Sequence, residues 1–452
     1  MEKTPLEAWI YHKTIGRPPG GGGKLSRQLI EVYQINKLQE TVKLATANSR
    51  FYRRLFTGLK SLAKLADIVS YPFTTAEDLR QDPLQFLCVF QSEINRVVTL
   101  QSSGTTGSPK RLYFTGDDQE LTIDFFHIGM ATLVRPGDRV LILLPGERPG
   151  SVGDLLRTGL ARLGVEGIIH GPVMDVAHTL RVIEQKQVNT LVGIPTQVLA
   201  LARYRDSVGK SVQLKLQSVL LSTDHVPDAI VRELQKVWGC RVFNHYGMTE
   251  MGLGGGVECQ ALAGYHLREA DLFFEIIDPE TGLPVPDGET GEIVFTTLTR
   301  RGMPLIRYRT GDIARFIPEP CPCGTVLKRM DRVKSRLSGK IELAAGKFLT
   351  MADLDEALFA LDGLVDFQVA LIRKGSKDQL EIGIRSATED GEELLREVRL
   401  AVAAVPVIKS AVAAGELTII PVVAGPYECF TNGTAKRTIC DLRAAGSGGD
   451  NY

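Results

Sequence analysis

Apolar residues recur along the chain with two spacings. A helical spacing comes first, and short strand-like apolar runs that alternate with helical patterns follow it. Residues 25–47 carry apolar side chains at helical spacing, among them Leu29, Val32 and Leu38, which predicts an amphipathic helix. From residue 140 onward, short apolar runs alternate with helical patterns. Strands are predicted at 140–144, 167–169, 190–193, 218–221 and 240–244, and helices at 154–163, 176–185, 197–204 and 228–238. This order is typical of α/β layers built on largely parallel sheets.

The pattern changes after residue 272. Short antiparallel strands separated by Pro/Gly turns are predicted at 273–277, 293–297 and 313–316. The C-terminal part is predicted to contain a helix at 351–361, strands at 365–372 and 379–384, a helix at 391–405 and a strand at 416–421. We therefore predict an α/β fold with a large N-terminal domain of stacked α/β sheets plus a β-rich subdomain, residues 1–335. A small C-terminal α+β lobe is expected over residues 336–452.

Length and charge narrow the classes of protein to which the chain can belong. Its 452 residues exceed the roughly 250–300 residues at which a single hydrophobic core stops growing. The 53 basic and 53 acidic side chains balance, which gives no argument for nucleic acid or an anionic membrane surface as a partner. Residues 1–17 show no secretory signal, and no stretch reaches the ~20 apolar residues of a membrane span. A cytoplasmic location is therefore expected.

The most informative local pattern is the run SSGTTGSPK at residues 102–110. Glycines allow the backbone to approach an oxyanion closely, while hydroxyls, N–H groups and Lys110 supply donors and positive charge. Apolar runs at 97–100 and 112–114 predict a strand on each side of it. Because the spacing is not that of a Walker A loop, the run predicts a phosphate loop of another kind.

The run resembles the phosphate loop of the adenylate-forming superfamily of acyl-CoA synthetases, luciferases and adenylation domains. Three further motifs follow in that family's order: YGMTE at 246–250, GETGEI at 288–293 and YRTGD at 308–312. The segments YPFTT at 71–75 and FTTL at 295–298 are similar to the phenylacetate–CoA ligase branch. The resemblance spans residues 45 to 440. It implies an AMP-forming carboxylate–CoA ligase that acts on an aryl or other organic acid.

The resemblance also implies roles for individual residues. Glu250 is expected to hold Mg²⁺, Tyr246 to lie against adenine, and Asp312 and Arg336 to contact the ribose. Thr105, Glu250 and Lys436 are the expected catalytic residues. The expected ATP contacts are Ser102, Ser103, Gly104, Thr105, Thr106, Gly107, Lys110, Tyr246, Gly247, Thr249, Glu250, Asp312 and Arg336. The segment 222–225 corresponds only weakly to the family's adenine-contacting turn. In the family, the C-terminal lobe is mobile and swings over the site between half-reactions.

One family residue is missing from its expected position. The family has an essential lysine in a GKxxR-like segment, and here that segment reads NGTAKR at 432–437. With Gly433 and Arg437 in register, Thr434 stands where the lysine is expected. In an extended stretch Lys436 would point the same way as Thr434, so either Lys436 takes over the role or adenylation is slow.

Four residues suggest a structural zinc site. Cys321 and Cys323 form a CPCG turn, and Cys259 and His266 lie upstream. Three thiolates and one imidazole are a common tetrahedral zinc set. The alternative is two free thiols in a loop near unrelated core residues. The odd total of seven cysteines does not suggest a disulfide framework.

The cofactors implied are therefore ATP, Mg²⁺ and coenzyme A, with structural Zn²⁺. The expected partner is a small-molecule carboxylic acid, and a homodimer is left open. An acyl pocket is expected around 193–195 and 252–256, whose small residues do not identify the acid. Two other functions stay open: an adenylyl-transferring enzyme without a CoA step, and a degenerate ATP-binding homologue without catalysis.

Overall fold

A computed structural model describes residues 2–16, 24–100, 109–207, 214–344, 346–375, 377–386, 391–423 and 437–443. The chain divides into two compact units, each assembled from separate stretches of sequence. The first unit comprises Met1–Asp138, Pro145–Gly167 and Phe243–Val333, and the second comprises Arg139–Leu144, Ile168–Val242 and Lys334–Tyr452. The α/β fold class is confirmed, because helices accompany several sheets in both units.

The first unit combines long helices with short, mostly antiparallel strands. Its α-helices are Pro5–Ile15, Arg27–Asn48, Arg50–Leu55, Ala76–Gln81, Gly116–Met130 and Val152–Ala161. Its strands are Ile94–Leu100, Lys110–Thr115, Gly256–Glu258, Tyr265–Leu267, Leu272–Ile277, Gly291–Thr297, Tyr308–Ala314, Phe316–Ile317 and Arg329–Met330. Two strands, Glu166–Ile169 and Arg241–Tyr246, run along the chain from one unit into the other.

The core of the first unit is rich in aromatic side chains. The predicted helix is present as Arg27–Asn48, and the Ser26 side chain caps it by accepting a hydrogen bond from the backbone N–H of Leu29. Phe51 and Phe86 stack with their ring centroids 4.1 Å apart. The central antiparallel strands bring Phe295 opposite Tyr308. Burial of these large rings contributes hydrophobic stabilisation to this unit.

The second unit contains a parallel sheet and a separate four-stranded sheet. The parallel strands are Arg139–Ile142, Thr190–Gly193 and Ser218–Leu221, with helices Val176–Gln185, Pro195–Ser207 and Asp228–Trp238. The four-stranded sheet has the order Leu417–Val423, Lys377–Ser386, Leu364–Lys374, Ile439–Asp441. The remaining elements of this unit are the helices Met351–Leu358, Gly391–Ala404 and Pro406–Ala413 and the strands Ser335–Arg336, Ile341–Ala344 and Lys347–Leu349.

One sequence prediction of secondary structure is wrong and one helix was not predicted, for identifiable reasons. The strand predicted at 313–316 is instead the longer strand Tyr308–Ala314, which buries every second residue. Two of those buried positions are Thr310 and Asp312, so the alternation is invisible in a hydrophobicity pattern. The helix predicted at 391–405 is followed by a second helix, Pro406–Ala413. Proline starts that helix because its missing N–H is not needed in a first turn.

A buried arginine organises the charges of the second unit. The guanidinium of Arg437 forms an ion pair with Asp355 and lies 3.7 Å from Asp224 and 3.9 Å from Asp366. It also lies over the ring of Phe359, 4.8 Å from the centroid. Burial, opposed by Arg437, raises the pKa of the Asp355 carboxyl to about 6, and the Asp224 carboxylate adds to the rise. One cation thus neutralises a group of acids from three segments.

Replacing Arg437 with methionine should destabilise the second unit in a pH-dependent way. Loss of one partner of a buried ion pair typically costs ~3–5 kcal/mol, and we expect that loss at pH 8. Because the folded-state pKa of Asp355 is raised, its protonated form is favoured below about pH 6, and the loss should be smaller at pH 5. Urea denaturation in a Trp9→Phe background, where Trp238 reports on this unit, measures the difference.

The matched control is Arg399→Met, which removes an exposed cation from a helix of the same unit. Its effect should stay below about 0.5 kcal/mol at both pH values. An equal loss for Arg437→Met at pH 5 and pH 8 would show that the carboxylates do not depend on this cation.

Candidate functional site

The hairpin that flanks the phosphate-loop run is present as predicted. Strands Ile94–Leu100 and Lys110–Thr115 pair in antiparallel register, with Leu100 opposite Lys110. Residues 101–108, which include every loop residue from Ser102 to Gly107, lie outside the described residues. Lys110 is the first residue of the second strand. Its position at the loop end of the hairpin follows from that register.

The YGMTE segment forms a tight turn that buries its glutamate. Tyr246 ends a strand, and Glu250 lies in the short 3-10 turn Thr249–Met251 with only 2% of its surface exposed. At Gly247 an added Cβ would lie 2.2 Å from the carbonyl oxygen of Leu253. A glycine is therefore required for the chain to fold back so closely. This fold brings the Glu250 carboxylate inward.

Glu250, Lys110 and Tyr308 form one hydrogen-bonded triangle. The Lys110 ammonium forms an ion pair with Glu250 Oε1. The Tyr308 hydroxyl donates to the same carboxylate oxygen at 3.2 Å, and Lys110 Nζ lies 3.3 Å from that hydroxyl. The buried carboxylate is thus neutralised by a nearby cation, as burial of a charge requires. Lys110 and Glu250 were predicted from sequence, whereas Tyr308 had been given no role.

Arg300 holds the backbone beside this triangle, and the sequence did not predict this role. Its guanidinium donates to the backbone carbonyls of Glu250 at 2.7 Å and Tyr113 at 3.2 Å. It also lies over the ring of Phe114, 4.3 Å from the centroid. Burial lowers the pKa of Arg300. No motif marks this residue, because its role is to join the turn to the hairpin through backbone oxygens.

Two of the predicted nucleotide contacts touch each other. The Tyr246 hydroxyl donates to Asp312 Oδ2 at 3.0 Å, and both residues are buried. Gly311 N–H donates to Glu292 Oε1 at 2.9 Å, which anchors the YRTGD strand to the GETGEI segment. The structure therefore joins the YGMTE motif to the YRTGD motif, and the YRTGD motif to the GETGEI motif.

Arg336 and the segment 222–225 belong to the second unit. Arg336 is half-buried in the short strand Ser335–Arg336 of the second unit. In that same unit, His225 Nε2 lies 3.8 Å from Glu356, and Asp224 lies beside Arg437. Thr105, Thr434 and Lys436 lie outside the described residues, so the structure does not bear on their predicted roles.

The four predicted zinc ligands form a compact buried cluster. The ligand atoms of Cys259, His266, Cys321 and Cys323 lie within 4.8 Å of one another. The Sγ atoms of Cys259 and Cys321 are 3.6 Å apart, and Cys323 Sγ is 3.5 Å from His266 Nε2. Loops separated by about sixty residues converge here, because the strand Arg329–Met330 pairs with Tyr265–Leu267.

The thiols of this cluster titrate over different ranges. Burial raises the pKa of Cys259 to about 12 and also raises the pKa of Cys321. For Cys323, the effect of burial is outweighed by hydrogen bonds from His266 and nearby backbone groups, which lower its pKa to about 6. The cluster therefore contains one thiol that ionises readily, and a thiolate is the form that binds metal.

The first unit offers two distinct kinds of chemistry. The Lys110–Glu250–Tyr308 triangle places a cation, a carboxylate and a hydroxyl at one end of a glycine- and hydroxyl-flanked hairpin. Such a set suits a polyphosphate and a hard, oxygen-preferring cation. The cysteine–histidine cluster is buried and offers a soft donor set that suits zinc. The Lys110–Glu250–Tyr308 triangle contains no serine, threonine or cysteine nucleophile paired with a histidine base.

None of the helices in the described part of the chain combines the length and the apolar run that crossing a bilayer requires.

Comparison with known proteins places this geometry in context. The AMP-binding enzyme family matches residues 86–298. The phenylacetate-coenzyme A ligase of Thermus thermophilus is 29% identical over 83% of this chain and 84% of its own length. The corresponding ligase of Aromatoleum evansii is 30% identical over 69% of this chain and 72% of its own length. The phenylacetate-coenzyme A ligase of Escherichia coli is 28% identical over 78% of this chain and 82% of its own length.

Solved structures confirm the fold. A crystal structure of 2-hydroxyisobutyryl-CoA ligase in the postadenylation state, in complex with 2-HIB-AMP, matches with a TM-score of 0.79. It is 20% identical and covers 93% of this chain and 91% of that chain. At 20% identity, this structural similarity shows the fold of the chain.

Proposed function

The chain belongs to the phenylacetate–CoA ligase family of AMP-binding enzymes and is an AMP-forming acid–CoA ligase, and on this premise we propose that it activates an aryl or other small organic acid through an acyl-adenylate. The observation that supports the site assignment is the Lys110–Glu250–Tyr308 triangle. It unites three family motifs at the end of the phosphate-loop hairpin.

The proposed reaction has two steps. A carboxylate oxygen of the acid attacks the α-phosphorus of ATP, and the bond from that phosphorus to pyrophosphate breaks. The thiol of coenzyme A then attacks the acyl carbon, and AMP leaves. Because the attacking and leaving groups are anionic, these residues act mainly by neutralising charge and aligning the reactants.

Individual residues take the following roles in this proposal. Lys110 and the loop residues 102–107, Thr105 among them, bind the phosphates. Glu250 would hold Mg²⁺, a hard cation that prefers carboxylate oxygen. Tyr246 lies against adenine, its hydrogen-bond partner Asp312 accepts from the ribose hydroxyls, and Arg336 donates to the ribose oxygens. Residues 1–335 carry the ATP and acyl sites, and residues 336–452 form the lobe. We place the enzyme in the cytoplasm and leave a homodimer open.

Acid-dependent pyrophosphate release is the direct test of this function. We expect the protein to bind MgATP in calorimetric titration and to release pyrophosphate only when a carboxylic acid is present. CoA thioester should form when CoA is added. Glu250→Gln and Thr105→Ala should each weaken MgATP binding at least about tenfold, since charge-assisted contacts to phosphate are lost. Glu280→Gln, at an exposed position of the same unit, is the control.

The outcomes separate the alternative functions. Pyrophosphate release that needs a hydroxyl-bearing acceptor and no acid would identify an adenylyl transferase. Binding of MgATP without any release would identify a degenerate homologue. Unchanged MgATP binding in both variants would show that the triangle and the loop are not the nucleotide site.

We also propose that the cysteine–histidine cluster holds a structural zinc ion. The edges of a tetrahedron with Zn–S of ~2.3 Å and Zn–N of ~2.0–2.1 Å are roughly 3.5–3.8 Å long. The measured Sγ–Sγ separation of 3.6 Å and Sγ–Nε2 separation of 3.5 Å fit this figure. All four ligands come from the protein, so the site has the closed coordination of a structural centre.

Purified protein should contain about one zinc per chain by elemental analysis. The double variant Cys321→Ser plus Cys323→Ser should lose it and unfold at a lower temperature, because metal binding is linked to folding. Cys240→Ser, which changes a buried thiol outside the cluster, should keep its zinc. Retention of zinc by the double variant would rule out this ligand set.

The family lysine is the last element of the proposal. We assign its role in adenylation to Lys436, which precedes the anchored Arg437 directly. Lys436→Ala should slow acyl-adenylate formation by about 10²–10³, the usual cost of removing a group that stabilises transition-state charge. Transfer of a preformed acyl-adenylate to CoA should stay unchanged. Single-turnover measurements of the two half-reactions provide the comparison.

Lys409→Ala, on the exposed face of a helix, serves as the control. If Lys436→Ala forms the adenylate at the parent rate, another group supplies the charge. Faster acyl-adenylate formation in Thr434→Lys would then show that Thr434 is the substitution that slows this step.

A further inference from the structure

A small cavity of about 210 Å³ lies beside the Glu250 turn in the first unit and shares Thr249 with it. Its walls have an apolar part and a polar part. Val98, Phe114 and Leu253 contribute the apolar part, and Arg96 and Gln119 contribute the polar part. The volume lies below the ~300–1,000 Å³ of pockets for drug-sized ligands. The cavity is therefore suited to a small molecule.

The hairpin of the phosphate loop carries Arg96 into this cavity. Arg96 and Val98 are two residues apart on the strand Ile94–Leu100, so they face the same side of the hairpin. Phe114 is the cross-strand partner of Arg96 and lines the same cavity. The position of the guanidinium is thus set by the same two strands that present Lys110.

Arg96 supplies the positive charge in the wall of this cavity. Its Nε is buried and has no hydrogen-bond partner among the described residues. It is the one charged side chain among the described residues that line the cavity. The Arg96 side chain is half-buried, and a buried N–H group without a hydrogen-bond partner is costly, so this arrangement favours an anion supplied from outside the protein. A planar guanidinium matches a carboxylate best, because the two can share paired hydrogen bonds.

Gln119 adds a second polar group at this end of the cavity. Gly150 has a φ of +72°, and a Cβ added there would lie 2.2 Å from Gln119 Nε2 and 3.4 Å from Arg96 Cδ. A side chain at position 150 would therefore displace the amide from beside the arginine. The glycine keeps an amide and a guanidinium next to each other, and both can donate to carboxylate oxygens.

We propose that this cavity binds a second carboxylate of the substrate, so that the acid activated by the enzyme is a small dicarboxylic acid. This inference rests on the proposed ligase function. One carboxylate oxygen attacks the α-phosphorus and pyrophosphate leaves with its bonding electrons. The remote carboxylate stays ionised and pairs with Arg96 and Gln119. Thr249 belongs both to the cavity wall and to the Glu250 turn, so the cavity adjoins the proposed Mg²⁺ site.

Matched pairs of acids test the inference. Succinate, glutarate and 3-carboxyphenylacetate are compared with propionate, butyrate and phenylacetate by acid-dependent pyrophosphate release. In at least one pair the dicarboxylic acid should have a kcat/KM at least about 100-fold higher. Arg96→Gln should remove that advantage and change kcat/KM for the monocarboxylic partner less than about threefold. Arg157→Gln, which changes an exposed arginine on the helix that begins at the cavity, should change neither.

Additional measurements separate binding from folding and from the ligase function itself. MgATP binding and melting temperature should be unchanged in Arg96→Gln, and Gly150→Ala should weaken the dicarboxylate preference without Arg96 being altered. Turnover of monocarboxylic acids as good as that of their dicarboxylic partners would overturn the inference and leave the ligase function standing. An effect of Arg96→Gln on the KM for CoA alone would also overturn it. Absence of turnover with every acid would overturn both.

Discussion

The site in the first unit depends on keeping one buried carboxylate paired. Glu250 is almost fully buried, its charge is balanced by Lys110 from the hairpin, and Tyr308 from a distant strand donates a hydrogen bond to it. Breaking a buried ion pair typically costs ~3–5 kcal/mol, so these three segments are held in place by the same interaction. Under the proposed function, ATP would become the partner of Lys110 and Mg²⁺ would become the partner of Glu250. In the free enzyme, Lys110 and Glu250 would neutralise each other.

The surrounding protein maintains this network through backbone contacts. Arg300 ties the carbonyl oxygen of Glu250 to that of Tyr113, so the glutamate turn and the hairpin cannot shift independently. In the second unit the charges are arranged differently, because one cation, Arg437, neutralises several carboxylates. Both arrangements follow the rule that buried charges persist only with partners. Arg96 is half-buried in a cavity wall, and its buried Nε has no hydrogen-bond partner among the described residues, so its position favours a ligand in that cavity.

Much of the fold could be predicted from periodicity. The strands Thr190–Gly193 and Ser218–Leu221 and the helices Val176–Gln185 and Asp228–Trp238 have the predicted bounds, because each carries an uninterrupted pattern of its own period. The strand Tyr308–Ala314 was misplaced because Thr310 and Asp312 occupy its buried face. The helix Pro406–Ala413 was missed because it follows another helix directly.

The sequence by itself determined the chemistry available to this protein: the phosphate-loop run, the motif glutamate, the aspartate and the three cysteines with their histidine. These residue types and their order need no coordinates. Only the tertiary structure decided which of them meet. Tyr308 and Arg300 join Glu250 across 58 and 50 residues of chain, and such contacts depend on strand register and packing between distant segments. The place of Arg96 in a cavity wall, with a buried Nε that has no hydrogen-bond partner among the described residues, likewise becomes visible only when its surroundings are known.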